Sequence, residues 1–213
     1  MKQKDNSKTT GLDLGKGDEQ TIWKNFVNDN QDALSQMYEA YSQKLYNYCR
    51  QFDSDDSLIW DVIQDLFYDL IRRKKHLAIP NSVTAYLLSS VRRKIIERLE
   101  QKKKAKEQSF DPDKHAFQVQ ISEENELIKR ELSSEQKQRL EKACNELPVK
   151  QREAILLKFY EGLSYEEIAQ VMDMTKNKSA RALVYRGLQS LSIKLSDMDP
   201  KKGLAVLYTI SMV

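Results

Sequence analysis

The sequence predicts an all-α protein, two helical domains joined by a flexible linker, with the C-terminal domain a helix-turn-helix. Three observations carry this. Apolar residues recur at helical spacing on both sides of the chain's middle. Between these halves, residues 107–135 hold eight acidic residues against Lys114, Lys129 and Arg130, with Pro112 and few apolar side chains at first, the composition of a tether. Finally, Leu147 to Leu195 reads as two helices, a tight turn and a closing basic helix.

Composition sets the bounds. The 213 residues are 31% charged and 40% hydrophobic, ordinary for a soluble globular protein, and a net charge of +3 is too small to argue nucleic-acid binding by itself. Cys49 and Cys144 lie in helical patterns without CxxC or zinc spacing, as expected of buried reduced thiols in a cytoplasmic protein. Neither a metal nor a cofactor is expected. The N-terminus lacks an apolar signal-like stretch, and Leu204 to Val213 falls short of the ~20 apolar residues that span a bilayer, so no transmembrane segment is expected.

Residues 1–17 are polar, carry three glycines and are expected to form a flexible tail. The first domain covers residues 18–105. Ile22, Trp23, Phe26 and Val27 mark a first helix, and a second from about Asp29 to Phe52 repeats Leu34, Met37, Tyr38, Tyr41, Leu45 and Tyr48, aromatics expected mostly in the core. Asp53 to Asp69 holds six aspartates and no basic residue above a buried stripe of Val62, Ile63, Leu66, Phe67 and Leu70. Asp53-Ser54-Asp55 begins like a calcium loop, but Leu58 and Gln64 stand where that loop needs glycine and glutamate. After a loop broken by Pro80 and a cap at Asn81 or Ser82, a helix to about Lys104 carries eight Lys/Arg over residues 92–106 against Glu97 and Glu100. An acidic helix followed by a basic one predicts two partners, one cationic and one polyanionic.

The linker covers residues 106–133, its later part, Glu123 to Leu132, with helical character, and the second domain residues 134–196. There Pro148 pre-sets a first turn, Gly162 ends that helix, and Ser164 with Glu167 forms a capping box for a short helix burying Ile168, Ala169 and Met172. After the turn Asp173-Met174-Thr175, Ala180, Val184, Gly187, Leu188, Leu191 and Leu195 face inward, while Lys178, Arg181, Ala182 and Tyr185 lie opposite. From Met174 to Ser196 there are five basic residues and no acidic one, a surface suited to DNA. An ordinary helical hairpin with a solvated charged face is the bland alternative. The tail 197–213 has no assigned role beyond docking on the protein itself, binding a regulator, or staying disordered.

These residues resemble a bacterial RNA polymerase sigma factor of the sigma-70 family, extracytoplasmic-function (ECF) group, over roughly residues 18–104 and 134–195. Asp61-x-x-Gln64-x-x-Phe67 resembles the family's core-binding helix, Ala85-Tyr86-Leu87 to Arg92 the start of its promoter-reading helix, and ELP at 146–148 with EGLSYEEIA at 161–169 its second DNA-binding region. The resemblance implies that Asp61, Gln64 and Asp65 meet the clamp of the largest subunit of core RNA polymerase, with Phe67 packing inside the domain. It implies that Arg92, Arg93 and Lys94 hold the −10 element while loop 76–82 takes in a base flipped from the non-template strand. It implies that Lys178, Arg181 and Tyr185 read the −35 element, with Lys176 and Arg186 on phosphate. Promoter DNA and core polymerase are then the partners, an anti-sigma factor is a further one, and no small-molecule substrate is expected. Two other classes compete: a helix-turn-helix regulator acting without core polymerase, and a metal-dependent DNA-processing enzyme recruiting Asp61, Asp65 and Asp69, which lacks any accompanying phosphate loop or nucleophile–base pair.

Overall fold

The computed structural model describes residues 16–28, 30, 32–105, 117–120 and 133–195. Among them are eight α-helices, one short 3-10 turn and no strand. The N-terminal group is α1 (Lys16–Val27), α2 (Ala33–Cys49), α3 (Asp56–Arg73), the 3-10 turn Lys74–His76, and α4 (Val83–Lys104). The C-terminal group is α5 (Ser134–Asn145), α6 (Val149–Phe159), α7 (Tyr165–Val171) and α8 (Asn177–Lys194). Residues 1–15 of the expected N-terminal tail, the expected tail 197–213 and the helical stretch 123–132 lie outside the described residues, while residues 16 and 17 of the first tail belong to α1.

Local chemistry explains most of the helix boundaries. Asp55, inside the acidic run, is the N-cap of α3, its carboxylate accepting from the Leu58 amide at 3.3 Å. Of the two cap candidates for α4 it is Ser82 that accepts from the Ala85 amide. Ser133 with Gln136 caps α5, and Ser164 with Glu167 caps α7, both as reciprocal boxes. Gly162 takes φ +66°, the left-handed conformation that ends α6 and turns the chain toward α7. Asp173 takes φ 55° in the turn before α8, a conformation that Asp tolerates better than most side chains. Helix α1 starts at Lys16, two residues before the expected onset of order, whereas α2 is shorter than expected at both ends.

In the N-terminal group, α1 lays Trp23 and Phe26 into the core, with Trp23 edge-on to Tyr86 at 5.2 Å and its indole N–H donating to the Ala78 carbonyl, which ties down the loop before α4. Met37, Tyr41, Leu45 and Tyr48 of α2 meet Ile59, Ile63 and Leu66 of α3 and Leu87, Val91 and Ile95 of α4. Leu34 and Tyr38 depart from the expected stripe: each is 38% exposed, and the Tyr38 ring rests on Phe67 at the edge of the α2–α3 pair. In the C-terminal group α6 crosses α8 closely at Gly187, where a Cβ would stand 2.5 Å from Ile155 Cδ1. A smaller core of Leu140, Cys144, Leu147, Ile155, Leu191 and Leu195 holds α5 on that pair.

The two helical groups are packed on one another. A single apolar cluster runs from Trp23 through α4 to Leu157, Ile168 and Ala169, so α6 and α7 share the core of the N-terminal helices. Residues 117–120, expected to belong to a flexible tether, are anchored between the groups. Phe117 is fully buried against the rings of Tyr48 and Phe52. Cys49 and Cys144 are both buried thiols, and burial pushes each well above the ordinary thiol range.

Candidate nucleic-acid interface

Helix α8 presents the expected basic face outward. Lys178, Arg181, Ala182, Tyr185 and Arg186 are all exposed, as is Lys176, the residue that precedes the first turn. The Arg181 guanidinium lies over the Tyr185 ring at 5.3 Å, which stiffens a cation and an aromatic side by side on the outer face. Between α7 and the start of α8 a cleft is lined by Glu166, Gln170, Thr175, Lys176, Asn177 and Lys178. No side chain caps the start of this 18-residue helix among the described residues, and a helix start of that kind is suited to phosphate. Of the five basic residues after Met174, Lys194 is taken by Glu146 at the end of α5.

On α3, Asp61, Gln64 and Asp65 are exposed along one face, and Phe67 is buried as expected. Tyr68 and Ile71, 64% and 45% exposed, continue that face as an apolar strip which the sequence reading passed over. The six aspartates are less available than their clustering suggests. Asp53 and Asp55 share Lys102, Asp56 pairs with Arg50, Asp65 with Arg98, and Asp69 with Lys94, which leaves Asp61 alone without an ion pair among the described residues. The Lys94 hydrogen bond holds the Asp69 carboxyl below its ordinary range. Most of these pairs are well exposed, so each is worth no more than about 1 kcal/mol and could be exchanged for another partner. Much of the charge expected to seek outside partners therefore neutralises itself across the α3–α4 seam.

The three residues expected at the −10 element have three different surroundings. Arg93 is exposed, and among the described residues its partner is the Ser89 carbonyl of its own helix. Lys94 is on Asp69 at 2.7 Å. Arg92 points into the fold, donating from Nε and Nη2 to the Glu153 carboxylate of α6 at 2.6 and 3.2 Å. Tyr48 Oη donates to the same Glu153 carboxylate at 2.7 Å. Burial and the adjacent Glu153 charge push the Tyr48 hydroxyl far up, so it stays a donor. Burial opposes the Arg92 charge, but the Glu153 carboxylate outweighs it and holds the guanidinium protonated. Glu153 is 1% exposed, a charged residue in the apolar face of α6, and nothing in the spacing of that helix marks its partner. Beside this cluster, Ser89 Oγ of α4 donates to the Gln170 carbonyl at the end of α7. A second cross-group pair, Lys44 with Glu161 at 3.8 Å, leaves one oxygen of the buried Glu161 carboxyl without a hydrogen-bond partner among the described residues.

The first residues of loop 76–82 are held from behind by Trp23 through Ala78, while Ile79 is half exposed at its tip. Among the described residues no group of three or more His, Cys, Asp or Glu is arranged to hold a metal ion, and no helix is long and apolar enough to cross a membrane.

The sequence matches the family model for Sigma-70 region 2 over residues 37–105 and that for Sigma-70 region 4 over residues 137–191. No curated protein is matched by the sequence. Among solved structures, the fold is similar to that of CnrH, determined in complex with the cytosolic domain of CnrY, at 18% identity and a TM-score of 0.57, covering 85% of this chain and 99% of that one. It is equally similar to the sigma factor RpoE of Bartonella quintana, determined in complex with the anti-sigma factor NepR, at 18% identity and a TM-score of 0.57, covering 79% and 99% of the two chains.

Proposed function

Because the chain belongs to the sigma-70 family, with region 2 and region 4 on one polypeptide, we propose that it is an ECF-type sigma factor that binds core RNA polymerase and directs it to promoters through −10 and −35 elements. The observation that carries this reading is the combination of those two regions with the exposed, acid-free face of α8. In this reading residues 18–105 form the core-binding and −10 domain and residues 134–196 the −35 domain. Asp61, Gln64 and Asp65 meet a cationic surface of the polymerase clamp, with Tyr68 and Ile71 supplying apolar area beside them. Arg93 holds phosphate near the −10 element, and Arg92 and Lys94 join it once their internal partners let go. Lys178, Arg181 and Tyr185 meet base edges at −35 while Lys176 and Arg186 hold phosphate.

The protein acts by binding and positioning, without chemistry of its own, and works in the cytoplasm where the polymerase is. An anti-sigma factor is a natural further partner, since CnrH and RpoE were each determined with a bound protein and the latter's is an anti-sigma factor. In vitro transcription with core polymerase on a randomised promoter library tests the whole reading. Transcripts that share paired −10 and −35 sequences, and that need both the chain and core, are expected. Tight operator-like binding by the chain alone, with no transcription, would favour the helix-turn-helix regulator instead.

A further inference from the structure

A run of consecutive cations, Arg72 to Lys75 with His76 after it, ends α3 and forms the 3-10 turn, and the polymerase and promoter contacts assigned above leave Arg72 to Lys75 out. Between Asp69 and Glu97 the sequence has no acidic residue, and Asp69 is itself held by Lys94 at 2.7 Å. The run is therefore not neutralised along the chain. Arg72, Arg73 and Lys75 are exposed and have no ion pair among the described residues. A cation or two in the last turn of a helix would offset its dipole, and this run goes beyond that.

Apolar side chains are interleaved with the cations. Tyr68, Ile71 and Arg72 share a face of α3 at helical spacing, Lys75 follows in the 3-10 turn, and Ile79 stands half exposed on the loop beyond. The display is held from behind. The Lys74 ammonium sits over the Phe26 ring at 5.1 Å and the Trp23 indole N–H donates to the Ala78 carbonyl, so α1 pins both the turn and the loop. A surface fixed in this way loses little freedom when something binds to it.

Two kinds of polyanion fit the charge, and the apolar part separates them. Sites for single-stranded nucleic acid stack bases on aromatic rings, but the sequence has no Phe, Tyr or Trp between Tyr68 and Tyr86. Aliphatic side chains flanked by Lys and Arg suit the headgroup boundary of a bilayer, where the isoleucines enter the acyl region and the cations reach phosphate. Asp65, an exposed acid on the same helix face, is paired with Arg98 and lies about 9 Å from Ile71 along the axis. That exceeds the ~8 Å screening length at physiological salt.

We propose that the end of α3 and the loop after it, through Ile71, Arg72, Arg73, Lys75 and Ile79, form a docking site for an anionic phospholipid surface. Tyr68 and Ile71 are also the apolar area given above to the polymerase clamp. A chain seated on lipid therefore cannot hold core polymerase at the same time. That consequence rests on the function proposed above, whereas the lipid site does not.

The test mixes the full chain with vesicles of phosphatidylcholine containing phosphatidylglycerol, or of phosphatidylcholine alone, and reads bound protein by flotation. The parent should float with the mixed vesicles and not with the neutral ones, and should be released as salt rises. Arg72→Gln, Arg73→Gln and Lys75→Gln combined should lose about a hundredfold in affinity, at about fivefold per cation. Ile79→Ser should lose about fivefold with its salt dependence unchanged, which separates insertion from charge. Circular dichroism checks that the variants keep their helices; should the triple variant unfold, Ile79→Ser decides. A parent held by neither vesicle, or folded variants that bind the mixed vesicles as the parent does, would overturn the site. So would a parent that ignores vesicles while the triple variant loses affinity for a single-stranded oligonucleotide, which would give the patch to nucleic acid. Flotation needs neither polymerase nor promoter, so failure of the sigma-factor reading would show separately, as no transcript with core polymerase.

Discussion

Arg181 and Glu161 illustrate what single residues contribute. Arg181 is exposed, stacked on Tyr185 and engaged by no acidic residue among the described residues, so its charge is available to a polyanion. Arg181→Ala should weaken −35 duplex binding and lower the slope of log affinity against log salt by about one unit, measured by fluorescence anisotropy across a salt series. An unchanged slope would move the residue off the interface. Glu161 is the opposite case. Its burial pushes the carboxyl up to about 7, and Lys44 at 3.8 Å, itself partly exposed, offsets only part of that. From the ordinary carboxylate range to about pH 7 the folded chain keeps a proton that the unfolded chain has released, so this group lowers stability as pH rises through that window. Glu161→Gln should therefore exceed the parent in stability by on the order of 2–3 kcal/mol at about pH 8, the gap closing toward about pH 4, as read from urea unfolding at the two pH values. Neither Glu153 nor Glu161 announces itself in the sequence, because a glutamate among apolar neighbours looks the same whether it is solvated or buried against a distant cation.

At the scale of elements, the helix signals were legible because they are local. The Ser164–Glu167 box, the Gly162 turn and the inward stripe of α8 all involve residues within a few positions of each other. Ser164→Ala should cost about 1 kcal/mol by leaving the Glu167 amide without its cap, measurable by thermal unfolding. Gly187 has a stricter role than its place in a stripe suggests, since α6 approaches it closely. Gly187→Val should cost about 1–3 kcal/mol through crowding against Ile155, and α8 should then lose protection in hydrogen exchange. The acidic run before and within α3 was legible as charge but not as structure. Asp55 is a helix cap, and Lys94, Arg98 and Lys102 of α4 lie opposite its neighbours, a pairing set by how two helices cross.

At the scale of the molecule, the acidic face of α3 and the packing of the two helical groups make separate demands. Asp61 is exposed and without an ion pair among the described residues, so Asp61→Lys should change stability by no more than about 0.5 kcal/mol while impairing association with core polymerase, measured by competition with the parent chain. Asp65→Lys should impair the same association and in addition lose the Arg98 pair. The amino-acid sequence by itself determined the all-α class, the helices and their caps, the two recognisable regions and the outward basic face of α8, because each depends on residue order over one or two turns. Only the tertiary structure decided that most of the aspartates meet the chain's own cations, that the half-buried Arg92 turns inward onto Glu153, and that residues 117–120 are anchored between the helical groups rather than a loose tether. Those outcomes join residues as many as 69 positions apart, and such contacts depend on which faces the packed helices turn toward each other.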